Sequence, residues 1–378
     1  MIPFNKPSFA GNEQAYIAQA IANRHISGDG PFTKRCQQLL QGALGAHQVL
    51  LTTNCTHALE MAALLLELEP GDEVIVPAFT FVSTVNAFAL RRAVPVFVDI
   101  RPDTLNIDER LIEAAITPKT KAIVVVHYAG IACEMDVIGD IARRHGIPLI
   151  EDNAHGLFAT YRGKPLGTFG ALATQSFHET KNFTCGEGGA LVINDERYAE
   201  RAEIIREKGT NRARFFRGQV DKYTWVDLGS SYLPSDVLAA FLLAQLEHRE
   251  HIQAIRKHIW TRYNDGLRDW AREHGVGVPT VPADREQSYH MFYLLLPTLG
   301  ERTRFISAMN ELGVNTVFHY TPLHLSEEAR RLGSRGTAPL TEDLSDRLVR
   351  LPFYNSLGPE DQATVINAVS SFAPSVRA

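Results

Sequence analysis

Short runs of consecutive apolar and β-branched residues alternate with stretches of helical period between about residues 45 and 210, and nothing else in the chain restricts its fold as strongly. The candidate strands are 49–51, 73–76, 94–99, 122–127, 148–151, 174–177 and 190–193. Several are apolar at successive positions, which suits strands covered on both faces. Helical patterns between them fall at 56–68, 83–92, 109–116, 135–145 and 196–208. Strand, helix and strand joined by short connections predict an α/β fold, a mainly parallel sheet flanked by helices.

After residue 210 the pattern changes. Pro234 stands at a helix start, and SDVLAAFLLAQLEH follows, apolar almost all round and therefore expected to be buried. A long helix is predicted over 251–274, stopped by Gly275. HMFYLLLP and VNTVFHY read as strands on either side of a helix at 303–312, and further helices are predicted near 344–350 and 360–371. This is the pattern of a smaller α+β unit. We therefore expect a large domain over 1–248 and a small C-terminal domain over 249–378.

Composition removes several function classes. The 378 residues carry 38 Lys+Arg against 43 Asp+Glu, a net charge of −5, so no broad basic surface for nucleic acid is implied. No apolar run approaches the roughly 18 residues that a membrane span needs. Pro3 and Pro7 break the apolar core of a signal peptide, so no export signal is expected. Cys36, Cys55, Cys133 and Cys185 are widely spread, with no CxxC pair and no metal-ligand spacing. A reducing cytoplasm is the simplest compartment, and no metal is expected.

Four segments hold the residues that can carry chemistry. In IPLIEDNAHG (147–156) a strand delivers Glu151 and Asp152 at its carboxyl end, where open α/β sheets bind ligands. Asp152 and His155 read as a metal pair, a charge relay or two anchors for a heterocycle, against plain helix capping. SFHETKN (176–182) follows another buried strand and leads into the glycine turn CGEGG. A lone lysine is usually a solvated surface charge. Lys181, between a strand end and that turn, is placed where desolvation would lower its pKa and make a nucleophilic amine. In TTNCTHALEMAALLL (52–66) a strand passes through small polar residues into a helix, a geometry that either holds a phosphate or merely caps the helix. In VPAFTFVSTVNA (76–87) Phe79 and Phe81 sit at a strand end, either as core or as a plate for a bound ring.

A lysine, an acid, a phosphate cradle and an aromatic plate are together the groups that pyridoxal phosphate (PLP) requires. The sequence resembles the DegT/StrS-type sugar-nucleotide aminotransferases of the fold type I group of PLP enzymes. The resemblance runs from SGDGPFT (27–33) to HYTPLH (319–324), with ED-x-AH and SFH-x-x-KN as its specific motifs. Within that family, SFHETKN and GSSYLPS (229–235) look like the enzymes that make TDP-4-amino-4,6-dideoxygalactose.

The resemblance implies roles residue by residue. Lys181 would hold the cofactor as a Schiff base and shuttle the proton. Asp152 would face the pyridine nitrogen, His155 would lie near the ring hydroxyl and Phe81 would stack on the ring. Cys55 (through its amide), Thr56 and Ser176 would hold the phosphate, joined by Ser231 from the second subunit of a homodimer with shared active sites. His178, His319 and Tyr320 are candidate substrate contacts. The implied substrate is a nucleotide-linked (TDP-linked) 4-keto-6-deoxyhexose, aminated at C4 with glutamate as donor on the way to a cell-surface glycan. Cys55 stands where family members commonly have Gly, His155 where they have Gln, and GSSYLP where they often read GYNYRM.

The charge pair behind this chemistry is strong. At about 4 Å and an effective dielectric near 20, a carboxylate attracts a pyridinium by about 4 kcal/mol, about three pKa units before desolvation losses. Competing readings fare worse. GDGPFT is half a dinucleotide fingerprint and follows no strand, and His248 and His251 lie on a charged helical face. A PLP-dependent sugar dehydratase would carry His in place of Lys181. Amination at C3 and a non-catalytic binding protein on the same fold stay open.

Overall fold

Successive residues of a strand point to opposite faces, and here both faces are apolar, so each strand must be covered twice. The computed structural model, which describes residues 1–375, meets that demand with a central seven-stranded sheet. Its strands are β1 (Gln48–Thr52), β2 (Glu73–Pro77), β3 (Val94–Val98), β4 (Thr120–Val126), β5 (Leu149–Asp152), β6 (Leu172–Ser176) and β7 (Gly189–Ile193). They are ordered β1-β7-β6-β5-β4-β2-β3. The pairs β3–β2, β2–β4, β4–β5 and β5–β6 are parallel, and β7 runs antiparallel to both of its neighbours. All seven strands stand where the sequence predicts them.

Helices α1 (Glu13–Ala22), α2 (Pro31–Leu44), α3 (Cys55–Leu65), α4 (Val82–Ala89), α5 (Glu109–Ala115), α6 (Met135–His145), α7 (Ala199–Arg206) and α8 (Asp236–Glu247) cover the sheet. Leu50, Val74, Val124, Ile150 and Leu191 face α3, α4 and α7. Their neighbours along the strands face the other way. Val49, Leu51, Ala173 and Val192 meet α2 and α8, while Ile75, Val96, Ile123 and Val125 meet α6. The apolar α8 helix is buried along most of its length, as its sequence requires. Asp236 at its start accepts hydrogen bonds from the Phe32 and Thr33 amides and the Thr33 hydroxyl, tying α8 to the start of α2.

The C-terminal part forms a second core around α9 (Arg249–Glu273), α10 (Leu299–Glu311), α11 (Pro339–Arg347), α12 (Pro359–Ser371) and the antiparallel pair β8 (Tyr293–Leu295) and β9 (Leu348–Arg350). Phe292, Leu294, Phe305, Val349 and Leu351 fill it, and Ile2 joins them from the chain start.

Two expectations fail here. VNTVFHY forms no regular strand: Val314 and Val317 make single bridges, to Ile2 and Arg350, and the chain then turns His319 and Tyr320 into a cleft among aromatic rings. The helix placed near 344–350 instead starts at Pro339 and stops at Arg347, and 348–350 become β9 because β8 needs a partner. Its early start has a distant cause. The Asp99 carboxylate, just past β3, accepts from the Leu340 and Thr341 amides and caps α11 across 241 and 242 residues of chain.

One close approach positions the site. A Cβ on Gly189 would lie 2.3 Å from the Asn54 carbonyl carbon and 2.5 Å from the Cys55 amide nitrogen, so β7 packs backbone to backbone against the start of α3. Gly189→Ala is expected to lower the urea midpoint at unchanged slope, by the equivalent of about 1–3 kcal/mol of overpacking. An unchanged midpoint would show that this approach is not tight.

Candidate active site

The carboxyl ends of β4, β5 and β6 open into a cavity of about 320 Å³. Cys55, Thr56, Phe81, Asp152, His155, Ser176, His178, Lys181, His319 and Tyr320 all line it, so one space collects ten of the eleven residues singled out from sequence. Ser231 is the exception. It is exposed outside the cavity and bridges to Glu207.

The strand period separates the two acids of the ED motif. Glu151 points away from the cavity, fully buried, and accepts from the Gly167, Phe169 and Gly170 amides at 2.8, 2.6 and 2.7 Å and from His127 at 3.0 Å. Burial alone would raise its pKa, but these donors hold it below the usual carboxylate range. Glu151 is a structural anion. Asp152 points into the cavity, where its Oδ2 accepts from the Thr84 hydroxyl at 2.7 Å and its Oδ1 from the Ala154 amide at 3.1 Å. Burial pushes its pKa up despite those bonds. A cation facing Asp152 would relieve that cost.

Lys181 sits in the loop that joins the antiparallel strands β6 and β7. Backbone bonds stitch the loop shut: Phe177 N–H to Gly188 O at 2.8 Å, Cys185 N–H to Phe177 O at 3.0 Å and Glu179 N–H to Gly186 O at 2.9 Å. Phe183 buries its ring against Phe158 in the core, and Asn182 donates to Ser288 O at 2.7 Å. These anchors flank Lys181 and leave its amine in the cavity. Desolvation pulls its pKa down to about 8, with the Asp152 charge opposing that shift. A sizeable neutral fraction near neutral pH makes it a competent nucleophile.

Across from it, α3 begins at Cys55 with its amides toward the cavity. The Asn54 side chain caps the His57 N–H, but among the described residues the Cys55 and Thr56 N–H groups have no acceptor. The Thr56 and Ser83 hydroxyls bond to each other at 2.9 Å beside them. Free amides at a helix start form an anion site. His155 stacks on His290 with centroids 4.2 Å apart, and its Nδ1 is buried without a partner. Burial, seconded by the Lys181 charge, keeps His155 neutral. Phe81 leaves 56% of its surface exposed at the cavity wall, 6.1 Å from the Tyr320 ring.

Residues 7–370 match the model of the DegT/DnrJ/EryC1/StrS aminotransferase family. The chain belongs to that family. It is 35% identical over 348 residues to the uncharacterised protein MJ1066 of Methanocaldococcus jannaschii, covering 90% of this chain and 89% of that protein. Among solved structures it resembles the aminotransferase TlmJ of Streptoalloteichus hindustanus, at 31% identity and TM-score 0.90 over 98% of each chain. It also resembles the putative sugar aminotransferase Spr1654 of Streptococcus pneumoniae in its PLP form, at 28% identity and TM-score 0.90 over 98% of each chain.

The family's cofactor, PLP, fits the groups present. The unbonded amides of α3 suit its phosphate, and the unpartnered His155 Nδ1 suits a ring oxygen. Asp152 and Lys181 supply the acid and amine that its ring nitrogen and aldehyde need.

Several cavity residues escaped the sequence reading. Thr84, one helical turn after Phe81, orients Asp152. His290, stacked on His155, is held by a 2.9 Å bond to Asn182. Arg350 reaches the cavity from β9, and Phe4 and Asn5 from the chain start. The visible clues were slight, a His and an Arg set into the apolar runs SYHMFYLLL and LVRLPF.

Incubation with PLP, borohydride reduction and peptide mapping is expected to label Lys181. The labelling rate should climb as pH passes through about 8, where the amine sheds its proton. Label on another lysine, or none, would overturn the assignment.

Proposed function

We propose that the protein is a PLP-dependent aminotransferase acting on a nucleotide-linked, TDP-linked 4-keto-6-deoxyhexose, which it converts to the 4-amino-4,6-dideoxygalactose derivative with glutamate as donor. The observation that carries the chemistry is the desolvated Lys181 amine beside the buried Asp152 carboxylate in one cavity. The C4 assignment rests on SFHETKN and GSSYLPS. A 4-amino sugar of this kind feeds cell-surface polysaccharide, including lipopolysaccharide, from the cytoplasm.

When bound, PLP supplies an electron sink for the carbanion left when a proton leaves the amine-bearing carbon. This chain's residues do the rest. Asp152, oriented by Thr84 and Ala154, keeps a proton on the ring nitrogen and so keeps the sink strong. Cys55, Thr56 and Ser176 hold the phosphate through backbone amides and hydroxyls. His155 bonds the ring hydroxyl, and Phe81 covers the ring face and excludes water. Lys181 is first the covalent anchor. Its neutral Nζ would then take the proton from the α-carbon of the donor and pass it to the cofactor carbon, and in the second half-reaction would return one from there to C4 of the sugar. His178, His319 and Tyr320 contact the sugar nucleotide.

The cofactor site falls between a domain over 1–248 and one over 249–378 in this reading, and a homodimer completes it. Ser231 contributes to the partner's phosphate site, which is consistent with its exposure outside its own cavity. Phe216, Trp225, Val226 and Leu228 are exposed in the preceding segment, an apolar surface of the kind a subunit interface covers.

PLP-loaded protein is expected to show a visible band that glutamate bleaches. With TDP-4-keto-6-deoxyglucose and glutamate it should yield an axial C4 amine, read by NMR. An equatorial amine, or amination at C3, would refute the narrower assignment, and no band with any donor would favour a non-catalytic protein. Asp152→Asn should keep the fold but lower kcat by about a thousandfold, the rate equivalent of about 4 kcal/mol. Lys181→Ala should abolish turnover while still retaining PLP through the phosphate contacts.

A further inference from the structure

Asp152 and Glu151 are neighbours on β5, yet the chain supports their charges very differently. Glu151 accepts from three amides and from His127. Asp152 is also buried but has two donors, the Thr84 hydroxyl and the Ala154 amide. With so few, the strength of each donor matters more to the carboxylate. The Thr84 donor is itself backed. Its Oγ1 lies 2.7 Å from the Thr80 Oγ1, and both threonines are buried. Thr80 belongs to the turn between β2 and α4, and Thr84 to the first turn of α4. Two hydroxyls can share a proton in either direction, but here the direction is forced. A carboxylate has no proton to give, so the single Thr84 proton goes to Asp152. The Thr80 proton must then fill the contact with Thr84. Thr80, Thr84 and Asp152 form one ordered chain in which every O–H points toward the acid.

Aligned hydroxyls polarise one another, so the last in the chain becomes the stronger donor. We infer that Thr80 is a positioning residue, which with Thr84 forms a two-hydroxyl relay that keeps Asp152 ionised toward the ring nitrogen of the cofactor. This rests on the aminotransferase reading above. Among the described residues Thr80 makes no hydrogen bond to the acid itself, so it acts through Thr84 alone. Burial pushes the Asp152 carboxyl up while the Thr84 bond holds it down, so the relay opposes the shift that would neutralise the acid. All three residues line the same cavity, so the relay lies at the site it tunes. The other titratable groups that act on Asp152 or feel its charge are Lys181, His127, Cys55 and Tyr320, none of which bonds to either threonine.

The test reconstitutes the full chain with two ligands across a range of pH and reads both affinities by calorimetry. One is pyridoxamine phosphate, which has the ring nitrogen but forms no covalent bond to Lys181. The other is its benzene analogue, in which CH replaces that nitrogen. The ratio of the two affinities cancels the titration of the phosphate and of groups that ignore the nitrogen, and should fall as acid protonates Asp152. A lost donor disfavours the anion, so protonation then comes at higher pH. Thr84→Val is expected to move the fall upward by about one pH unit, and Thr84→Ser to restore it. Thr80→Val should move it upward by about 0.3 pH unit through an unchanged Thr84, and Thr80→Ser not at all. Affinity for the benzene analogue should be the same in every variant, which damage to the cavity's shape would not give. A fall at the wild-type pH in Thr80→Val, or equal weakening of both ligands, would overturn the relay, as would a ratio that ignores pH in every protein. A wild type that binds the two ligands equally well, or neither, would instead refute Asp152 as the partner of the ring nitrogen, so the two failures are distinct.

Discussion

The cleft is organised by two ionisable groups that each lose solvation by being there. Burial drives the Lys181 ammonium toward neutrality and the Asp152 carboxyl toward protonation, and each partly offsets the other's cost. Neither position would persist without support. Asp152 is fixed by a strand end, a threonine on the neighbouring helix and its own Asx turn. Lys181 is fixed by a loop held by backbone bonds from Phe177, Glu179 and Cys185, with Phe183 packed on Phe158 and Asn182 bonded to the Ser288 carbonyl beside it. The protein holds the pair in a disfavoured state, which is the condition under which a ligand bearing the complementary charges binds with most gain.

Topology explains how so few elements achieve this. Parallel strands all end at the same rim, so Asp152 and Ser176 arrive side by side from β5 and β6. The one antiparallel strand, β7, brings the chain straight back, so the Lys181 loop is a closed hairpin rather than a long crossover. Gly189 then lets β7 lie against Asn54 and Cys55, and the lysine loop and the anion cradle become neighbours through backbone contact alone. The remaining wall comes from the far parts of the chain, Phe4 at the start and His319, Tyr320 and Arg350 near the end.

The legible part of this molecule was the part encoded locally. Most strands of the main sheet show as apolar runs because they are covered on both faces, and Asp152, Lys181 and Cys55 show because each sits at or past a strand end or at a helix start. What stayed hidden depends on distant partners. The start of α11 is capped by Asp99, which no local pattern reveals. Residues 348–350 carry no strand signal strong enough to outweigh the helix before them, and pair because β8 is adjacent in space. His319 and Tyr320 look like strand residues by alternation, yet they pack on Tyr128 in an irregular turn. Thr84 and His290 are polar residues whose meaning exists only once Asp152 and His155 are placed beside them.

That division of the cavity wall has an evolutionary consequence. Asp152, Ser176 and the Lys181 loop hang from a single sheet, whereas other parts of the wall, Phe4, His319, Tyr320 and Arg350, ride on the chain start, an irregular turn and the C-terminal strand pair. Drift in the second set leaves the first untouched. Substitutions at that periphery can therefore reshape what the cavity admits without disturbing the sheet that carries Asp152.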